Sequence, residues 1–183
     1  MALTPSNMLP LGTLAPDFKL PDTDGNFVTL NHFPKPKGYL VMFICNHCPY
    51  VVHLKKHLAQ TTSEFINQGI AVFGINSNDV ANYPEDHPDK MKLDKNSFHY
   101  SFPYLFDESQ AVAKAYQAAC TPDFFLFDAN KKLVYRGQYD KSRPKNQEPI
   151  TGEDLKNAVR SVVEEKSLNI EQIPSIGCNI KWK

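Results

Sequence analysis

The sequence predicts an α/β fold, a central mixed β-sheet flanked by helices, with an N-terminal β-hairpin and an inserted helix. Three observations carry it. The runs Tyr39 to Ile44 and Ile70 to Ile75 are apolar on both faces, as strands in the middle of a covered sheet are. Between them, apolar residues recur at helical spacing. Beyond them, a second hairpin and a last helix close the chain, and this alternation of strands and helices reads as a sheet between layers.

Each element follows from local chemistry. Phe18-Lys19-Leu20 and Phe27-Val28-Thr29-Leu30 flank Asp24-Gly25, a turn dipeptide, and read as the N-terminal hairpin. Val51, Leu54, Leu58 and Phe65 place a helix from about Pro49 to Gln68, with Gly69 where a left-handed cap belongs. The polar stretch from Asn76 to Tyr100, holding Pro84 and Pro88, carries the inserted helix. Phe102 to Phe106 reads as a short strand, and Ser109 to Ala119 as a helix with acids before its start. Phe124 to Phe127 and Lys132 to Tyr139 pair across Asp128-Ala129-Asn130. Thr151-Gly152-Glu153-Asp154 resembles a capping box opening a helix with Leu155, Val159 and Val162 inward.

At 183 residues the chain fits one domain, 1–183, ending in a C-terminal tail, 168–183. Twenty Lys and Arg balance twenty Asp and Glu, so no basic footprint marks a nucleic acid or an anionic membrane as partner. Lys19 is the first basic residue, and Pro5, Pro10 and Pro16 break up the start, unlike a signal peptide. The longest apolar run, Tyr39 to Cys45, falls far short of the ~20 residues that span a bilayer. A cytoplasmic protein is expected. Four cysteines are too few for a disulfide scaffold, and in a reducing compartment a closely spaced pair is catalytic or metal-binding.

That pair is Cys45-Asn46-His47-Cys48, read as the end of a buried strand and the opening turn of a helix. Three residues apart on a helix, the two sulfurs share a face and come near enough to exchange a disulfide. Orphan N–H groups and the positive end of the helix favour a thiolate at Cys45, and a protonated His47 pushes the same way. The bland alternative is two small buried hydrophobes; the strand-to-helix setting favours a redox pair.

These residues resemble the thioredoxin-like superfamily, and its peroxiredoxin-like branch of redoxins, the alkyl-hydroperoxide-reductase and thiol-specific-antioxidant (AhpC/TSA) group. Ala15-Pro16-Asp17-Phe18 looks like the start of a redoxin, and Cys45-Asn46-His47-Cys48-Pro49-Tyr50 stands where that superfamily keeps its active site. Thr121-Pro122-Asp123-Phe124 resembles its Thr-Pro loop, and Pro174 to Trp182 looks like the signature of a smaller subfamily. The resemblance implies a thioredoxin-like fold and a cis Pro122 whose loop faces Cys45, with Thr121 offering its backbone to a substrate. It implies thiol–disulfide exchange with a thiol or disulfide substrate and a reductant, and no cofactor. Cys45 attacks, Cys48 resolves and His47 tunes the thiolate.

Two departures define the alternatives. The buried carboxylate that thioredoxins keep in the strand before the active site is missing from Tyr39 to Ile44. The peroxiredoxin pattern Pro-x-x-x-Thr/Ser-x-x-Cys finds Val41 and Cys45 when counted back from Cys48, and Gly38 and Met42 from Cys45, so a thiol peroxidase, an antioxidant enzyme, ranks second. Third is a non-enzymatic metal-binding protein, from the Cys pair with His53 and His57 at ligand spacing. At 100° per residue those histidines point away from the thiols, and a solvated face explains them better. Cys120, two residues before Pro122, and Cys178 in the tail are additional redox candidates, or else buried and structural. The basic loop Lys141-Ser142-Arg143-Pro144 reads equally as a contact for an anionic partner and as mobile surface.

Overall fold

The structure, a computed structural model, describes residues 3–183. In chain order it runs β1 (Leu3–Pro5), β2 (Lys19–Pro21), β3 (Phe27–Thr29), β4 (Gly38–Phe43), α1 (Pro49–Asn67), β5 (Ile70–Asn76), a 3-10 turn (Pro84–Asp86), α2 (Pro88–Phe98), β6 (Tyr104–Phe106), α3 (Ala111–Ala115), β7 (Cys120–Thr121), β8 (Asp123–Asp128), β9 (Leu133–Gly137), α4 (Glu153–Val163) and β10 (Ile176–Asn179).

The two runs that are apolar on both faces become the middle of a five-stranded sheet of order β6-β5-β4-β8-β9. β4 pairs parallel with β5 and antiparallel with β8, so the sheet is mixed. Side chains alternate across it. Leu40, Met42, Val72, Phe124 and Leu126 face one core, which α1, α2 and α4 cover with Leu54, Leu58, Met91, Leu155 and Val159. Tyr39, Val41, Phe43, Phe73, Phe125 and Phe127 face the other, covered by Phe18, Leu20, Val28 and Leu30 of the β2–β3 hairpin and by Ala113 and Tyr116. Each fully buried side chain of this size contributes about 1.5–3 kcal/mol. Gly74 keeps its place in β5 because a Cβ there would meet the Phe102 ring at 2.6 Å.

Several expected elements change on inspection. The helix expected over 109–119 shrinks to the five residues of α3, since Gln110 enters it with left-handed backbone and Tyr116 ends it to fill the second core. The capping box does not form. Gly152 is the N-cap of α4, and the Asp140 carboxylate takes the Thr151 and Gly152 N–H groups at 2.7 Å each. Within the C-terminal tail, β10 lies between β1 and β7 in a separate antiparallel sheet. Among the described residues, no helix is long and apolar enough to cross a membrane.

Candidate active site

β4 delivers Cys45 at its end, but α1 starts only at Pro49. The residue before a proline is disfavoured from helical backbone, and Cys48, with φ −62° and ψ 123°, is the extended N-cap. The sulfurs therefore do not share a helical face, as the sequence reading has it. Residues 45–48 instead turn across the helix N-terminus, and each sulfur reaches Thr121. All four cysteines are free thiols, and both members of the pair are buried.

The turn is anchored through Asn46, every polar group of which is used. Its N–H donates to Asp86 Oδ1 at 2.8 Å, its amide to the Glu85 carbonyl at 2.8 Å, and its side-chain oxygen accepts from the Tyr104 hydroxyl at 3.0 Å. Its carbonyl accepts from Lys55 Nζ at 2.8 Å, and that ammonium, buried in α1, pairs with Asp94 at 2.6 Å. Asp86 is fully buried. Its Oδ2 accepts from Asn78 at 2.7 Å and lies 2.8 Å from His47 Nδ1, an ion pair and not an aligned hydrogen bond. The His47 ring stacks on Tyr83 with centroids 5.7 Å apart. Pairing with Asp86 raises the His47 pKa against a smaller opposing effect of burial. The sequence names His47 but misses Asp86, Tyr83, Asn78 and Lys55, because the polar insertion has no periodicity to point inward. A buried carboxylate beside the turn comes from the 3-10 segment and not from β4.

The opposite wall is the loop before β8. The Thr121–Pro122 bond is cis, as the resemblance implies. The Thr121 hydroxyl lies 3.5 Å from Cys45 Sγ, and Cys48 Sγ donates to the Thr121 carbonyl at 3.1 Å. Thr121 therefore touches both sulfurs. A hydrogen bond from Cys45 is the main cause that pulls the Cys48 thiol down, to about 4, with Thr121, Cys178 and the Val51 N–H adding to it. The same hydrogen bond, then burial and the Asp86 charge, holds Cys45 well above the usual thiol range. The two thiols interact, and their titration steps belong to the pair.

Behind Thr121 runs β10. Cys178 stands opposite Thr121 in the antiparallel register, and Ser175 donates to the Pro122 carbonyl at 2.6 Å. The Cys120 sulfur reaches the Pro122 carbonyl at 3.6 Å, and burial pushes its pKa far up, with Asp123, Cys48 and Cys178 adding to it. His53 bonds Ser142 at 2.8 Å and His57 bonds the Tyr139 hydroxyl at 2.6 Å, so both are occupied by the 139–142 segment, neither a solvated face nor ligands beside the cysteines. That segment is held, with Arg143 donating to the Asp140 and Ser142 carbonyls and to Gln138. Cys45, His47 and Asp86 instead bring a sulfur, a nitrogen and an oxygen within 4.8 Å of one another, a donor set suited to a metal ion.

The sequence profile of the AhpC/TSA family matches residues 11–136, a stretch holding both Cys45-Asn46-His47-Cys48 and Thr121-Pro122. The chain belongs to the AhpC/TSA family. Among solved structures, a hypothetical protein from Sinorhizobium meliloti 1021 is 49% identical, with a TM-score of 0.97 over 98% of each chain. A thioredoxin domain of a thiol-disulfide oxidoreductase from Bacteroides vulgatus, 24% identical, superposes with a TM-score of 0.65 over 85% of this chain and 99% of its own, and shows that this AhpC/TSA member has the thioredoxin-like fold. The thiol-disulfide oxidoreductase ResA of Halalkalibacterium halodurans is 24% identical over 123 residues, 67% of this chain and 65% of that protein. The β10 segment, Ile176–Asn179, lies outside the residues that define the AhpC/TSA match.

Proposed function

We propose that this AhpC/TSA protein is a thiol–disulfide oxidoreductase whose couple is Cys45 and Cys48. The observation that carries the reading is that both thiols, at the N-terminus of α1, meet Thr121 before cis Pro122: its hydroxyl lies 3.5 Å from Cys45 Sγ and its carbonyl accepts from Cys48 Sγ at 3.1 Å. Cys48, the low thiol, attacks one sulfur of a substrate disulfide; the other sulfur leaves as a thiolate. Cys45 then attacks Cys48, its proton passes to the departing thiolate, and the Cys45–Cys48 disulfide remains. A dithiol reductant resets it. This reverses the order that sequence alone favours, since the lowered thiol is the better nucleophile at neutral pH. The ResA relative supports the same chemistry.

Single Cys45→Ser and Cys48→Ser variants, assayed for reduction of a model peptide disulfide with dithiothreitol as donor, test it. Loss of turnover in both supports exchange; turnover retained in Cys48→Ser overturns it. Peroxide consumption measured on the same variants tests the peroxidase reading: rapid turnover surviving in Cys45→Ser, with disulfide reduction lost, would replace exchange by it. A second reading, metal binding, is favoured by the Cys45–His47–Asp86 donor set alone. Stoichiometric zinc or copper in the purified protein, released by an oxidant of thiols, would support it.

A further inference from the structure

The tail motif Ser175-Ile176-Gly177-Cys178 is built against the site, and neither the fold nor the two-cysteine couple requires a cysteine in it. Ser175 ties the motif to the Pro122 carbonyl at 2.6 Å. Gly177 allows the closest approach: a Cβ there would lie 2.0 Å from the Thr121 carbonyl oxygen. Two antiparallel neighbours, β1 and β7, hold the strand on both sides. Residues directly opposite in such a pair point to the same face, with Cβ atoms about 4.5–5.5 Å apart. Cys178 is opposite Thr121, so its thiol stands on the face where the Thr121 hydroxyl meets Cys45 and the Thr121 carbonyl meets Cys48. Cys178 is buried in the same core cluster as both, and its thiol interacts with that of Cys48. Cys120, one residue earlier in β7, reaches the Pro122 carbonyl at 3.6 Å and is not a hydrogen-bond partner of Cys45 or Cys48.

We propose that Cys178 is the third redox thiol of the site, and that Cys48 is the sulfur it shares with Cys45. The inference rests on the exchange reading above. In the oxidised pair, Cys178 attacks Cys48 Sγ; the Cys48–Cys178 bond forms and the Cys45–Cys48 bond breaks, with its electron pair leaving on Cys45. The proton of Cys178 passes to Cys45. Two thiol oxidation equivalents enter and leave unchanged, so the step needs no oxidant or reductant. The result moves the disulfide behind Thr121 and returns Cys45 as a free thiol.

The Cys45→Ser variant, oxidised with one equivalent of diamide at neutral pH and digested for mass mapping, gives the direct test. A Cys48–Cys178 disulfide in most molecules is expected; Cys48 remaining free, or pairing with Cys120, overturns the relay. Cys178→Ser supplies the second readout, because serine keeps a hydrogen-bond donor and cannot form a disulfide. Steady-state turnover about tenfold below wild type, with the first oxidation of Cys48 unchanged in rate, is expected. Wild-type turnover in Cys178→Ser means that Cys178 only positions Cys48, and the relay is wrong. Failure here is distinct from failure of the exchange reading. If oxidised wild type carries Cys45–Cys48 and Cys45→Ser never yields Cys48–Cys178, only the relay falls. If wild type forms neither disulfide, both fall.

Discussion

His47 Nδ1 and Asp86 Oδ2 stand 2.8 Å apart, so a residue between the two cysteines is tied to a carboxylate from the far side of β5. Asp86 also holds Asn46 and Asn78, so it orders the turn and favours the protonated ring at once. Asp86→Asn should cost about 3 kcal/mol, the scale for breaking a buried pair and unsatisfying its donors. Because the folded His47 pKa is raised, its pairing stabilises the native state fully below the unfolded value near 6.5 and is lost as pH rises through the folded value. The gap between wild type and Asp86→Asn should therefore narrow above neutral pH. Urea unfolding across this range measures the gap, and the His47 ring resonances should titrate lower in the variant. Parallel stability curves would refute the linkage.

The interaction between Cys45 and Cys48 predicts a two-step thiol titration. Cys48, pulled down to about 4, should show thiolate absorbance throughout the neutral range, while Cys45 adds none there. Cys45→Ala removes the leading hydrogen bond to Cys48 and should move the first step up toward the ordinary thiol range. Ultraviolet titration of this variant beside wild type reads this. An unchanged first step in Cys45→Ala would mean that the helix N-terminus and Thr121, not the partner sulfur, hold the first step down.

What the sequence shows of this fold follows from short-range pattern. Tyr39 to Ile44 and Ile70 to Ile75 could only be covered strands, and Cys45-Asn46-His47-Cys48 at the strand end marks the site without any distant contact. The cis Pro122 comes from the family resemblance, since nothing local in Thr121-Pro122 distinguishes it from other X–Pro bonds. Asp86 was hidden because it acts across 40 residues, from a polar segment with neither helical nor strand periodicity. Asp140 was hidden likewise: it caps α4 from 12 residues upstream, where Thr151 looked sufficient. The N-cap role of Cys48 was legible after all in Pro49, a residue that starts helices and disfavours helical backbone just before itself.

Gly177 predicts a steric test of the β10–Thr121 contact. In Gly177→Ala the new methyl would sit 2.0 Å from a backbone oxygen that cannot rotate away, so β10 must shift from β7. The loss should be about 3 kcal/mol or more, at the upper end of overpacking. Alkylation of Cys178 by iodoacetamide in the native protein should quicken in parallel as the strand lifts. A variant that melts like wild type would show that β10 is not held against Thr121.

Asp123 follows cis Pro122 and is fully buried, with Oδ2 accepting the Ala119 N–H at 3.2 Å and Oδ1 unpaired. Burial raises its pKa from 3.8 to about 7. The native state therefore keeps a proton that the unfolded chain has already released between about pH 4 and pH 7. In that window the unfolded state binds fewer protons, so stability falls as pH rises, and it levels off above the folded value. Asp123→Asn keeps the shape and cannot ionise. Its acceptor oxygen serves Ala119, and its amide takes the place of the unpaired Oδ1. The variant should match wild type near pH 4 and exceed it at pH 7.5 by up to about 4 kcal/mol, the value of that raised pKa. Urea unfolding at the two pH values measures the difference. Equal stability gaps at both would mean that Asp123 is ionised in the native protein throughout, and that its charge is met by a donor in the wall behind the Thr121–Pro122 loop.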